Sequence, residues 1–544
     1  MPQISPKEWR LIGLIIIFFI GLSLFFWFWQ NAHRPAQSIY LGTQYINWQD
    51  TPVYYSWINQ AKHGAWTFYD LFTSEMHPPF FFDIFWLTLG KLAAIFSLSE
   101  IVIYQLAKIV LIPLLIITLY YLVAYFFSNA KTRMLAIIFV VFASGLGGLL
   151  LVTHSVFSPA LTGLTSTMDL WAVDGLIFFT LFHSPHFMLA LSLMILIFLW
   201  TLLAIEKKQW RYSAYSGLAA LILFQFHPYD APTTILVMFA FVVMLIIKNK
   251  KVDWFNLKHC LLVLMISSPS LIYHWWTYRA FWLKQVVAAQ NNCFTPTLDK
   301  VVLSYGLPLV LGLLGLIYVL RSKAPKDRNI FLISWLIVQA ALIYFPINMQ
   351  RRFVLGLQVV INILAIFGFI YLKDILKIKK TLSANQTLIL IIGFLVIFSC
   401  SNYFILGMSF FPTDFPSNPK SVYYLSTDKL EAMKWLQKNT EPDTIVLASY
   451  PDSNLIPALA LRRVYLGHCD FTADAQNKFY LLNYFFKKDR ASDGRQNFLS
   501  KNHINYIFYS LEDRNLGLFN PKDKSYLKDI YHNSKTTIYR VINK

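Results

Sequence analysis

Eleven apolar runs are spread along this chain, at about 11–30, 79–127, 134–154, 186–205, 212–226, 231–247, 259–277, 302–320, 329–346, 353–372 and 386–408. Most approach the roughly 20 residues that a helix needs to cross the hydrocarbon of a bilayer. Backbone groups in lipid have no water to bond, so such runs are satisfied only as helices. Of the 544 residues 14% are charged, against about a quarter in a soluble domain, which excludes a soluble globular fold. The first run, Leu11–Trp29, has no small-residue cleavage site soon after it and reads as a retained span.

Lysine and arginine gather between alternate runs. The basic groups are Lys7 and Arg10; Lys131 and Arg133; Lys207, Lys208 and Arg211; Lys248, Lys250 and Lys251; Arg321, Lys323, Lys326 and Arg328; and Lys373, Lys377, Lys379 and Lys380. Basic loops stay on the cytoplasmic side. That rule puts the N-terminus inside and 31–78, 155–185, 227–230, 278–301, 347–352 and the tail from about Ser409 outside. The same loops account for the net charge of +19, so nucleic acid is not an expected partner. Run 79–127 is long enough to cross twice, but two crossings would invert the charge alternation. One full crossing is expected there, with Phe80–Phe96 shallow or partly inserted, for about 11 spans in all. The sequon Asn385-Gln386-Thr387 falls near the inner boundary, where it would go unused. Four scattered cysteines form no disulfide framework or zinc spacing.

Composition changes after the last run. Residues 409–421, with Phe411-Pro412 and Pro416-Ser417-Asn418-Pro419, read as a linker between a membrane domain (1–408) and a small outer α/β domain (422–544). In that domain Asp428–Asn439 is predicted helical, with Asp428 and Glu431 at capping-box spacing. Thr444–Ala448, Val464–Leu466, Tyr506–Tyr509 and Thr536–Val541 are predicted strands. Gly467-His468-Cys469-Asp470 looks metal-like in isolation but reads as a turn after a strand.

Ionisable groups sit at the outer ends of the runs, not at mid-depth. They include Asp50, Asp70, Glu75 and His77; Asp169 and Asp174; His183 and His186; His227 and Asp230; and Arg351 with Arg352. A transporter places such groups mid-membrane on broken helices in repeated halves, and no such repeat is visible. An outward site at the membrane boundary suits a sugar carried on a lipid phosphate. Phosphate is already a good leaving group, so the acceptor hydroxyl mainly needs a carboxylate to take its proton. Asp50 suits that role, and Arg351-Arg352 offers bidentate donors for the phosphate. His183, His186 or His227 can add donors. The three-residue spacing of His183 and His186 also admits a divalent metal, although Pro185 between them opposes a regular helix. Trp57, Trp66 and Tyr69 offer faces for a sugar ring.

The plain alternatives are a helix N-cap for Asp50, loop ordering for Glu75 and His77, a tight turn for His227-Pro228-Tyr229-Asp230, and lipid contact for the arginines.

With these residues in place, the chain resembles the integral-membrane glycosyltransferases of the GT-C superfamily, such as protein O-mannosyltransferases and lipid A aminoarabinose transferases. Asp50-Thr51-Pro52-Val53-Tyr54-Tyr55 matches their acid-bearing first outer loop, here 31–78. Glu75-Met76-His77-Pro78-Pro79 matches the acidic, proline-containing motif before the next span. Asn454-Leu455-Ile456-Pro457-Ala458 and Arg462-Arg463-Val464-Tyr465-Leu466-Gly467-His468 look like the tails of bacterial relatives. The Asp-Glu pair of the protein mannosyltransferases is absent, since Gln49 precedes Asp50.

The resemblance implies a GT-C-like, α-helical polytopic fold and a sugar donor on a polyprenyl phosphate. It implies Asp50 as general base, and a glycan, lipid or protein acceptor outside the cytoplasmic membrane. Glu75, His77, His183, His186, His227, Asp230, Arg351 and Arg352 are the expected donor-binding residues. The competing expectations are a transporter or flippase of lipid-linked glycans and a non-catalytic envelope glycan-binding relative.

Overall fold

The computed structural model describes residues 3–43, 46, 48–157, 167–321, 326–377, 393, 396–411, 422–487, 492–522 and 524–542. In chain order the first helices are α1 (Pro6–Ala32), α2 (Asp50–Lys62), α3 (Ile84–Ile95), α4 (Glu100–Phe126), α5 (Ala130–Phe142), α6 (Gly147–Phe157), α7 (Ile177–His183) and α8 (Pro185–Lys207). They continue with α9 (Trp210–Phe226), α10 (Asp230–Asn249), α11 (Trp254–Ala280), α12 (Trp282–Gln290), α13 (Leu298–Leu320), α14 (Asp327–Leu342) and α15 (Leu357–Ile375). The strands are β1 (Ser38–Tyr40), β2 (Tyr424–Ser426), β3 (Ile445–Leu447), β4 (Arg463–Val464), β5 (Tyr506–Tyr509), β6 (Leu527–His532) and β7 (Thr537–Val541).

Among the described residues seven segments are long and apolar enough to cross a membrane: α1, α4, α8, α10, α11, α13 and Gln350–Ile375, which contains α15. The protein is a multi-pass membrane protein. The expectation was about 11 spans. Helices α9 and α14, with 17 and 16 residues, fall short of the usual span length. Most of run 386–408 lies outside the described residues, as do the sequon and linker residues 412–421. With 12 residues α3 is too short to cross, so by length α4 supplies the one crossing within 79–127.

Run 134–154, expected as one span, is broken into α5 and α6 with a 54° bend; counted as one, this pair makes an eighth crossing. The backbone freed at the break is satisfied internally, as lipid requires. Ser144 N donates to Phe398 O at 2.5 Å and Leu146 N to Leu303 O at 2.9 Å. Gly147 N donates to the Asp169 carboxylate at 2.9 Å and Gly148 N to Ser401 Oγ at 3.0 Å. Helices α13 and α15 approach so closely that a Cβ on Gly315 would lie 1.8 Å from Leu364 O, and one on Gly368 2.1 Å from Leu311 O. Only glycine fits at either place.

Packing divides the chain into two compact units. The first holds Met1–Phe25, Ala107–His274 and Asn292–Phe410; the second holds Phe26–Leu106, Trp275–Asn291 and Phe411–Lys544. In the second unit the sheet order is β4-β3-β5-β7-β6, with β3 parallel to β4 and β5, and β7 antiparallel to β5 and β6. Ile445, Leu447, Tyr465, Leu482, Phe485 and Ile507 build its apolar core. The four predicted strands are present. Strand β6 was not foreseen, because Leu-Lys-Asp-Ile-Tyr-His at a half-exposed edge has no apolar alternation.

The tail does not pack alone. Strand β1, from the first loop, pairs antiparallel with β2, with Ile39 opposite Leu425. The helix Thr427–Asn439 begins one residue earlier than predicted and is capped by Ser426 Oγ, which accepts from Lys429 N at 3.4 Å; Asp428 lies in its first turn.

Candidate active site

Asp50 is the first residue of α2, and Gln49 takes the N-cap position without a side-chain cap bond. A negative charge suits that helix end. The Asp50 carboxylate meets Nε2 of His468 at 3.0 Å. Its side chain is 38% exposed, whereas that of His468 is 5% exposed, so the pair turns the acid outward and buries the imidazole. On its other side His468 Nδ1 accepts from Asp470 N at 3.1 Å. The turn 467–472 is therefore more than a strand exit: it touches the candidate acid. No spacing signal linked the two, because the contact joins the first loop to the tail.

The loop that follows is fastened to the same tail. Lys478 Nζ lies 2.6 and 2.7 Å from the two carboxylate oxygens of Glu75, and Thr73 Oγ1 also donates to Glu75. His77 is buried. Its Nδ1 is 2.8 Å from Pro78 O, and its Nε2 is 3.0 Å from Arg463 Nη1 and 2.9 Å from Asp70 O. Arginine can only donate, which assigns Nε2 as acceptor and leaves the Nδ1 proton for Pro78 O. Burial lowers the pKa of this imidazole below 6.5. Arg463 Nη1 also donates to the carbonyls of Asp70 and Glu75, at 3.1 and 3.2 Å. Burial pushes the Asp70 carboxyl up to about 7, against the pull of the Phe72 N–H bond and the Arg463 charge. Glu75 and His77 are thus tied to Lys478 and Arg463, neither of which their own loop supplies. Of the three aromatics expected near a sugar, Trp57 is buried against Phe81 and Phe471, while Trp66 and Tyr69 are exposed.

The remaining candidates belong to the first unit. The chain breaks at Ser184, with Pro185 opening α8, so His183 ends one helix and His186 starts the next. His183 Nδ1 meets Ser184 Oγ at 2.5 Å. His227 Nδ1 lies 2.8 Å from Asp230, and the rings of His186 and His227 are 6.2 Å apart. The tight turn at 227–230 and a polar cluster are therefore the same feature. Arg351 pairs with Asp174 at 2.7 Å, bonds Cys293 Sγ through Nε at 3.0 Å and lies over Trp171. Arg352 lies over the ring of Tyr229, 4.9 Å from its centroid. Arg352, His227 and His186 thus share one neighbourhood, and Arg351 brings in Asp174 and Cys293.

Among the described residues no group of three His, Cys, Asp or Glu side chains is arranged to hold a metal ion. A cavity of about 890 Å³ in the first unit is lined by Tyr125, Glu206, Lys208, Lys248, Asp253 and Arg328, among others, and by none of the candidate site residues.

No protein-family model matches the chain, and no curated protein does. Solved structures do. The Archaeoglobus fulgidus oligosaccharyltransferase in its apo form aligns over 93% of this chain and 70% of its own, with a TM-score of 0.58 and 14% identity. The same enzyme, AglB, in complex with an inhibitory peptide and a dolichol-phosphate gives 0.53 and 13%, over 93% and 70% of the two chains. Arabinofuranosyltransferase AftD from Mycobacteria aligns over 100% of this chain and 42% of its own, with a TM-score of 0.55 and 13% identity. The chain shares its fold with these solved transferases, the α-helical polytopic, GT-C-like fold expected from the sequence.

Proposed function

We propose that the protein is a glycosyltransferase that moves one sugar from a polyprenyl-phosphate donor to an acceptor on the outer side of the cytoplasmic membrane. The observation that carries this reading is an outward-turned carboxylate, Asp50, in the loop after the first span of a GT-C fold. In the proposed step an acceptor hydroxyl gives its proton to Asp50 as its oxygen bonds the sugar's anomeric carbon. The bond from that carbon to the phosphate oxygen breaks, and its electron pair leaves with the lipid phosphate. No general acid is needed for that leaving group.

Arg351 and Arg352 are the proposed phosphate-holding residues. A guanidinium carries five N–H donors. Asp174 and Cys293 take one each from Arg351, so a phosphate can be held without breaking the ion pair. His183, His186, His227 and Asp230 are assigned to the donor headgroup beside Arg352. Glu75 and His77 serve the donor by holding the first loop against the tail. The dolichol-phosphate bound by the archaeal enzyme supports a lipid-phosphate donor, and its peptide leaves a protein acceptor among the candidates with glycans and lipids.

The test uses the purified full-length protein with a panel of polyprenyl phosphates, each charged with one radiolabelled hexose or pentose, and membrane extract as acceptor. Label should move to an acceptor, and Asp50→Asn should reduce transfer by roughly 100-fold or more, the scale of a lost general base. Label that crosses vesicles without bond cleavage, equally in wild type and Asp50→Asn, would instead mark a flippase.

A further inference from the structure

We infer that His468, supplied by the C-terminal segment, is the positioning residue for Asp50: it keeps that carboxylate aimed and ionised. The inference rests on the reading of Asp50 as the base. An imidazole nitrogen that accepts a hydrogen bond carries no proton. Because Nδ1 accepts from Asp470 N at 3.1 Å, the proton of the neutral ring sits on Nε2 and is donated to Asp50 at 3.0 Å. With both nitrogens engaged and its side chain 5% exposed, His468 is enclosed, whereas the Asp50 side chain is 38% exposed.

The turn that carries the ring is itself pinned. Gly467 N donates to Thr472 Oγ1 at 3.0 Å, and that hydroxyl donates to Phe72 O at 2.6 Å. The ring packs edge-on against Phe471 with centroids 5.3 Å apart. A donor held this firmly to a carboxylate favours its charged form and removes its rotational freedom. The tail thereby completes a site whose acid lies in the first loop. Asp70, a second titratable carboxyl near His468, is the other group a pH effect could report, so Asp70→Asn is the control.

Two variants of similar volume separate the possibilities: His468→Gln retains an N–H donor and His468→Met does not. Asp50 is titrated in the full-length protein by infrared difference against Asp50→Asn, with no substrate present. Removing the donor should make the carboxyl roughly tenfold less acidic in His468→Met, with His468→Gln close to wild type. In the transfer assay the acid limb of the kcat/KM profile should move up in pH by the same amount, with KM for the lipid donor unchanged. An unshifted titration in His468→Met, alongside an inactive Asp50→Asn, overturns the role of His468 alone. Full transfer by Asp50→Asn overturns the base reading itself.

Discussion

Arg463 Nη1 lies 3.0 Å from Nε2 of His77, joining residues 386 positions apart and closing the first loop onto strand β4. The same Nη1 lies 3.1 and 3.2 Å from two carbonyls of that loop, so its two N–H groups are shared among three acceptors.

Arg463→Leu should therefore be costly. It removes the donor from two buried acceptors, Asp70 O and His77 Nε2, and each unsatisfied group costs about 1–3 kcal/mol. We expect a loss of about 3–5 kcal/mol, read as a lower thermal midpoint, together with proteolysis within 67–79. Unchanged resistance of that segment would refute the closure.

Glu75 and Lys478 should couple energetically. The lysine is buried and the carboxylate is 29% exposed on its side chain, so the pair lies between surface and core. Glu75→Gln and Lys478→Met should each destabilise by about 1–2 kcal/mol. The double variant should lose less than the sum of the two. A double-mutant cycle in chemical denaturation gives the coupling, and additivity would show that the contact is energetically idle.

Asp70 makes stability fall with rising pH. Its folded pKa of about 7 exceeds the ordinary 3.8, so the folded state binds the extra proton between those values. The contribution is complete below pH 3.8, shrinks as pH rises, and is gone above about 7. Asp70→Asn keeps the acceptor for Phe72 N and removes the titration. At pH 8 it should be more stable than wild type by roughly 2–4 kcal/mol, and near pH 4 about equal. Parallel melting curves at both pH values would contradict the assignment.

Arg351 and Asp174 should behave as a buried pair with a donor-facing side. Arg351→Met leaves the carboxylate uncompensated at a cost of about 3–5 kcal/mol. Adding Asp174→Asn should recover most of that stability but not transfer activity, because the phosphate would still lack its cation. Arg351→Lys loses the bidentate fork and should raise KM for the lipid donor by roughly tenfold. Restored transfer in the double variant would remove Arg351 from the phosphate site.

Membrane character, the apolar segments that became α1, α4, α8, α10, α11, α13 and Gln350–Ile375, and the strands β3, β4, β5 and β7 were all legible in the sequence. Each depends on local composition or periodicity, which a window of about 20 residues or fewer contains. The break between α5 and α6 was not legible, since its backbone groups are satisfied by residues as distant as Phe398 and Ser401. Nor was the setting of the candidate acid. Asp50 could be chosen from its loop and its resemblance, but His468 lies 418 residues away and was read as part of a turn. Chain closure alone decides that such residues meet. Hydrogen bonds and buried ion pairs act over about 3 Å of space, and no spacing along the chain encodes them.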